Sequence, residues 1–253
     1  MYLIGTMHAK LKIAEQFYSI QGEGPTAGVP AVFLRLSGCN LGCPGFSYVD
    51  PQTGDHLGCD TKAVWKHGTR LSQAEILLEW ENAGWIEAMR TDAHLVITGG
   101  EPLLQQARLI SFLHDFQTKE GFLPYIELET NGTISPEPSL IDLLSQINTS
   151  PKLSFSKESK SKRYCPMVLD QLAAIPYAVF KFVVRNTADI NEVLQDYATP
   201  FRLPPSRIFL MPEGGTRSQI EAHSPPIVEA CKQYGFRYSP RLQVTIWGAV
   251  TGV

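Results

Sequence analysis

Cys39, Cys43 and Cys59 fall in one loop, where CNLGC is followed by PGFSYVDPQTGDHLG and then CDT. Three thiolates in one loop point to a metal site, because structural cysteines usually sit singly within apolar runs. A structural zinc would close its tetrahedron with a fourth ligand, normally by repeating a paired spacing, and the chain has no second Cys or His pair so spaced. Three thiolates on a 4Fe-4S cluster instead leave one iron open to a substrate or cofactor. Cys165, beside Pro166, and Cys231, in a helix-like stretch, lie far from this loop and read as non-ligands. A total of five cysteines is odd for a set of structural disulfides and suits thiols kept reduced.

Such a loop needs a frame. β-rich runs at 31–37, 95–98, 125–129, 152–156, 179–184 and 207–211 each end in a glycine or a polar turn and read as strands. Helix-like stretches at 71–89, 103–118, 138–146, 188–197 and 217–234 alternate with them. That alternation predicts an α/β fold, a parallel sheet covered by helices that is either open or a partial barrel. Ligands in such folds bind at the carboxyl ends of the strands. Here those ends read Gly38-Cys39, Thr98-Gly99-Gly100-Glu101-Pro102, Glu129-Thr130-Asn131-Gly132 and Met211-Pro212-Glu213-Gly214-Gly215, all rich in turn formers and polar donors. Backbone at Gly99-Gly100 can approach a ligand with no side chain between; the plainer reading is a strand-to-helix turn with Pro102 at the first helical position. Arg35 lies in a run of otherwise apolar residues, so it either faces a ligand, the favoured alternative, or pairs with an acid. The polar run 156–163 reads as an exposed loop.

These residues together resemble the 7-carboxy-7-deazaguanine synthase family of radical S-adenosylmethionine (SAM) enzymes. The resemblance runs through FYSIQGEG (17–24), PAVFLRLSGCNLGC (30–43), CDT (59–61), ITGGEPLLQ (97–105), IELETNGT (126–133), SPKLS (150–154) and YSPRLQVTIWG (238–248). GGEP alone would mark only the superfamily; QGEG upstream of the cysteines, with CDT and TGGEP, is similar to this one family. The superfamily pattern is C-x3-C-x2-C, and here segment 44–58 lengthens the second spacing. Asp60 and Thr61 follow Cys59 as in the family's CDT, so Cys59 aligns with the third ligand.

The resemblance implies an incomplete parallel βα barrel, built as one domain over 1–253 with the cluster loop enlarged at 44–58. It implies a 4Fe-4S cluster on Cys39, Cys43 and Cys59, with SAM held by Gly58, Cys59, Asp60, Gly99, Gly100 and Glu101. Ser150, Pro151 and Lys152 would border its adenosyl part, and Glu129 and Asn131 its ribose. The implied substrate is 6-carboxy-5,6,7,8-tetrahydropterin, set among Ile20, Gln21, Gly22, Glu23, Arg35 and Thr98, where Arg35 takes the carboxylate and Gln21 and Glu23 the pyrimidine edge. Thr61 would ligate Mg2+, an ion that accepts few protein oxygens. Residues 238–241, Tyr238 to Arg241, would close one end of the pocket. The implied reaction draws an electron from a flavodoxin-like donor and cleaves SAM. It then contracts the pterin ring with loss of ammonia, regenerating SAM. A homodimer is implied as well.

Composition agrees with a small-molecule enzyme. A net charge of -3 with 19% charged residues lacks the basic excess of a nucleic-acid binder, which argues against a tRNA-binding role. No run approaches the ~20 apolar residues that span a membrane, and the first residues lack the features of a signal peptide, so a cytoplasmic location is expected. The competing readings are another radical SAM reaction, such as glycyl-radical activation, and a non-catalytic zinc module.

Overall fold

The computed structural model describes residues 10–50, 53–248, 250 and 252–253. Residues 1–9 and residues 51–52 of the enlarged loop lie outside the described residues. Eleven strands are formed among those described: β1 (Leu11–Ile20), β2 (Pro30–Leu36), β3 (Tyr48–Val49), β4 (His56–Gly58), β5 (Thr69–Leu71), β6 (His94–Gly99), β7 (Ile126–Thr130), β8 (Gln146–Thr149), β9 (Ala178–Val184), β10 (Ile208–Pro212) and β11 (Arg237–Tyr238). The helices are α1 (Lys62–Trp65), α2 (Gln73–Asn82), α3 (Trp85–Arg90), α4 (Gln106–Glu120), α5 (Pro138–Ile141), α6 (Lys160–Arg163), α7 (Pro166–Ala174), α8 (Thr187–Glu192), α9 (Arg217–Tyr234) and α10 (Leu242–Trp247).

Nine strands make one sheet in the order β11-β10-β9-β8-β7-β6-β2-β1-β5. From β2 to β11 neighbours run parallel, each reached through helical crossovers, while β1 pairs antiparallel with both β2 and β5. The expected parallel α/β sheet is therefore present, with an antiparallel margin that the sequence reading did not anticipate.

Strand alternation sorts the two faces. Val32, Leu34, Leu36, Leu95, Ile97, Ile126, Leu128, Ile147, Phe180, Phe182, Ile208 and Leu210 join the apolar core. Against them α4 buries Leu109, Phe112, Leu113 and Phe116, a spacing of three and four residues that makes one helical stripe. Burying each such side chain contributes about 1.5–3 kcal/mol. Residues of opposite parity, Arg35, Thr98, Glu127, Glu129, Gln146, Asn148 and Lys181, project from the other face, where polar groups bond one another. No helix among the described residues is long and apolar enough to cross a membrane.

Several expected elements differ. The helix expected over 71–89 is two, α2 and α3, separated at Gly84, whose φ of 73° ends the first. The helix expected over 138–146 stops at Ile141, and Gln146–Thr149 is strand β8. The strand expected at 152–156 is instead a 3-10 turn over Ser154–Ser156. Pattern misleads here because Gln146 and Asn148 are polar yet buried, held by Glu127 and Glu129 rather than by water. The helix expected over 188–197 begins at Thr187 and passes into a π-helical turn over Val193–Ala198. The run 156–163 is not simply an exposed loop: Ser156 and Arg163 are buried, α6 closes a helical turn, and Glu158 reaches the cysteine loop.

Candidate active site

The carboxyl ends of the parallel strands open on a cavity of about 300 Å³. Cys39, Cys43 and Cys59 all line it, with Gly58, Asp60 and Thr61 beside the third. The enlarged loop explains how Cys59 reaches the others. β3 and β4 pair as a small antiparallel hairpin, Tyr48 opposite Gly58, so the chain leaves Cys43 and returns to it. Phe46 and Tyr48 supply an aromatic wall, and Ser47 donates through its N–H at 2.9 Å and its hydroxyl at 2.6 Å to Glu213. The hairpin is thus part of the cavity.

Burial, partly offset by the Lys152 ammonium and reinforced by Cys59 and Cys39, pushes the Cys43 thiol up to about 12. Burial also raises Cys39. Cys39 and Cys43 are thus poor anions alone and good ligands for a positively charged group, and with Cys59 lining the same cavity this suits an iron-sulfur cluster. Among the described residues no three of His, Cys, Asp or Glu gather closely enough to hold a single metal ion. A four-iron cluster takes its ligands at wider spacing than one ion does. Cys231 is packed in the core and Cys165 lies outside the cavity.

β6 delivers Thr98, Gly99 and Gly100 to the cavity. The turn packs backbone to backbone on the cysteine loop, with Glu101 N–H donating to Gly38 O at 2.9 Å. A Cβ on Gly100 would stand 2.6 Å from Cys39 Cβ and collide with Gly38 O. Gly100→Ala is therefore expected to displace Cys39 and cut bound iron at least about tenfold, read as iron and sulfide per chain after anaerobic reconstitution. Full iron content in that variant would show the turn can yield.

Glu101 does not line the cavity, contrary to its expected place against SAM. It is fully buried behind the turn, accepting from Leu103 N–H at 3.0 Å, Thr130 hydroxyl at 3.0 Å and Asn131 N–H at 2.7 Å. Burial, against those hydrogen bonds, raises its carboxyl to about 7. Its work is to tie the β6 turn to the end of β7. Pro151 is also buried away from the cavity, whereas Ser150, Lys152, Glu129 and Asn131 line it.

The opposite wall is polar. Ile20, Gln21, Gly22 and Glu23 line it, following β1. Glu23 is ringed by Lys181 at 3.2 Å, Arg241 at 3.4 Å and Gln243 at 2.7 Å. Burial alone would raise its carboxyl, but Lys181 and Arg241 outweigh burial and bring it down to about 2. Glu129, also bonded to Lys181 at 2.8 Å, is raised by burial to about 6 despite that ammonium. Lys181 is 1% exposed; burial would lower it, yet Glu129 and Glu23 together hold it charged and raise it. Gln243 lines the cavity and donates to Glu23, while its Oε1 is buried against Gly22 without a hydrogen-bond partner.

Arg35 pairs with an acid and also reaches the cavity. It lines the cavity, and its Nε donates to Glu15 at 2.6 Å. A bulge in β1 between Ile13 and Glu15 sets Glu15 opposite Arg35. The closing segment contributes Arg241, bonded to Asp60 at 2.7 Å, while Ser239 is buried as acceptor for Gly24 N–H at 2.8 Å. Tyr238 and Pro240 do not line the cavity.

Sequence reading missed Lys181, Gln243, Glu15 and the aromatic pair of the hairpin, and marked Glu213 only as part of a strand end. For Lys181 a signal existed: it interrupts the apolar run VFKFVV as Arg35 interrupts VFLRL. Gln243 and Glu15 sit among ordinary polar neighbours and carried no such mark.

No protein-family model matches the chain. A 7-carboxy-7-deazaguanine synthase of Pyrobaculum aerophilum is 33% identical over 245 residues, covering 96% of this chain and 97% of that protein. One from Halobacterium salinarum is 32% identical over 256 residues, covering 94% and 90%. A crystal structure of QueE from Escherichia coli matches with a TM-score of 0.59 at 26% identity, over 91% of this chain and 93% of that one. A third of the residues shared along nearly the full length of both chains, on a common architecture, places this chain in the 7-carboxy-7-deazaguanine synthase family.

Proposed function

We propose that this cavity is the active site of a 7-carboxy-7-deazaguanine synthase, a radical SAM lyase. It contracts 6-carboxy-5,6,7,8-tetrahydropterin to 7-carboxy-7-deazaguanine with loss of ammonia, in 7-deazapurine biosynthesis. The observation that carries the reading is one cavity with three thiols and a glycine turn at one end and a charged, hydrogen-bonding wall at the other. Cys39, Cys43 and Cys59 hold the cluster, and cluster and SAM together supply the 5'-deoxyadenosyl radical chemistry.

The chain's own groups position and shield. Gly99 and Gly100 give SAM backbone contact, with Asp60, Ser150, Lys152 and Asn131 around it. Arg35 keeps its terminal nitrogens for the pterin carboxylate while Glu15 fixes its Nε. Gln21 and Glu23 face the amino-pyrimidine edge, with Gln243 holding Glu23 through its amide N–H. Thr61, its hydroxyl 3.4 Å from Cys59 Sγ, supplies an oxygen for Mg2+. Phe46 and Tyr48 exclude water from the reacting end. The sheet is read as the incomplete barrel of a single radical SAM domain, served by a flavodoxin-like donor and assembled as a homodimer.

The test is anaerobic reconstitution with iron and sulfide, followed by incubation with the carboxypterin, SAM, Mg2+ and dithionite. Mass spectrometry is expected to show 7-carboxy-7-deazaguanine with SAM largely conserved. Accumulating 5'-deoxyadenosine without that product would leave the radical reading and overturn the substrate; absence of a cluster would overturn both.

A further inference from the structure

The loop bearing Cys39 and Cys43 is gripped from behind by the segment that follows β8. Glu158 Oε1 accepts the N–H of Gly42 at 2.6 Å and the N–H of Cys43 at 2.8 Å. Ser156 O accepts the N–H of Gly45 at 3.0 Å, and Phe155 meets Phe46 edge-on at 5.0 Å. The chain on both sides of Cys43 is therefore held by 155–158, and Glu158 itself is half-buried and lines no part of the cavity.

Cys43 requires such a grip. Its φ of 45° lies in the left-handed region, which costs a residue with a Cβ about 1–2 kcal/mol. Strain of that size persists only where surrounding contacts over-determine the backbone. A carboxylate accepting two consecutive N–H groups at this position does so.

The same contact bears on electron affinity. Potentials of iron-sulfur groups rise with hydrogen bonds donated to their sulfurs and fall with negative charge nearby. Here the N–H groups of Gly42 and Cys43 are spent on a carboxylate, which also sets a negative charge against the ligand loop. Lys152, which lines the cavity, is the opposing charge.

We propose that Glu158 is a positioning residue for the cluster loop and that its charge holds the reduction potential of the bound cluster low. The inference rests on the cluster reading above. A lower potential makes the reduced cluster a stronger donor for the one electron that SAM cleavage consumes.

The test is a potentiometric titration with dithionite, followed by EPR, on reconstituted wild type, Glu158→Gln and Glu158→Ala, without SAM or substrate. Glu158→Gln keeps an acceptor oxygen and removes the charge. It is expected to bind iron fully and to show, at a fixed poise, an about tenfold higher ratio of reduced to oxidised cluster, which is 59 mV for one electron. Glu158→Ala is expected to show that rise and to lose iron as well. A Glu158→Gln ratio within twofold of wild type, or a folded Glu158→Gln chain that holds no iron, overturns the claim about charge. Full iron in Glu158→Ala overturns the claim about positioning. Wild type that forms no cluster overturns the cofactor reading instead, so the two failures are distinct.

Discussion

Cys59→Ala is expected to leave the fold intact and abolish turnover, to below about a thousandth of wild type, with loss of the brown chromophore. The effect is large because Cys59 is the proposed third ligand of the cluster and no neighbouring thiol replaces it. Cys165 lies outside the cavity, and Cys231 is buried in the core on α9. Thr61 and Asp60 flank the lost sulfur at 3.4 and 3.9 Å, but oxygen ligands are a poor match for iron-sulfur chemistry. Fold retention follows from position: Cys59 is only partly buried and belongs to no apolar cluster, so its truncation removes little packing. The measurement is iron and sulfide content, the 7-carboxy-7-deazaguanine assay and far-UV circular dichroism on one preparation. Wild-type iron in the variant would show that the third ligand lies elsewhere and that the lengthened spacing had been misread.

The lengthened spacing shows what sequence discloses and what it withholds. Cys59 could be singled out as the candidate third ligand because Asp60 and Thr61 follow it as a unit, and the structure brings it to the cavity that Cys39 and Cys43 line. How fifteen intervening positions, 44–58, fold back was not legible, since a hairpin of two- and three-residue strands has too few residues for a period to emerge. The parallel sheet was legible wherever strands are short, largely apolar runs bounded by turn formers, as in β2, β9 and β10. It was illegible at β8, where QINT turns polar residues inward to meet Glu127 and Glu129. That burial is stable only because each amide finds a carboxylate, and such partners lie 19 to 21 positions away in sequence. Glu101 shows the same limit: the motif marks it as conspicuous, but only the structure reveals that its oxygens accept from three donors, Leu103, Thr130 and Asn131, that shape the turn.

Lys181→Met is expected to lower kcat/KM about a hundredfold, equivalent to about 2.7 kcal/mol, and to move the acid limb of the pH profile upward. Lys181 joins Glu23 to Glu129 in the cavity wall, and its removal leaves two half-buried carboxylates with one cation fewer between them. Breaking one partner from a buried ion cluster costs about 3–5 kcal/mol while the remaining charges stay ionised. The chain can instead take up a proton. Glu129 already stands near 6, so loss of the ammonium carries it higher and leaves it protonated nearer neutrality.

The sign for stability is then fixed. A carboxyl raised in the folded state disfavours folding progressively as pH climbs from its unfolded value, 4.5, to its folded one. The variant's Tm is thus expected to rise as pH falls from 8 to 6. Glu23 in wild type acts oppositely, its contribution complete above 4.5 and lost as pH falls toward 2. Adding Glu129→Gln to Lys181→Met removes one of the stranded carboxylates and is expected to recover Tm and flatten its pH dependence without restoring kcat. A purely packing role for Lys181 predicts the reverse pattern: unchanged pH limbs in the single variant and no rescue in the double. Unchanged limbs with kcat/KM within threefold of wild type would show that Glu23 and Glu129 hold their places and charges without the ammonium.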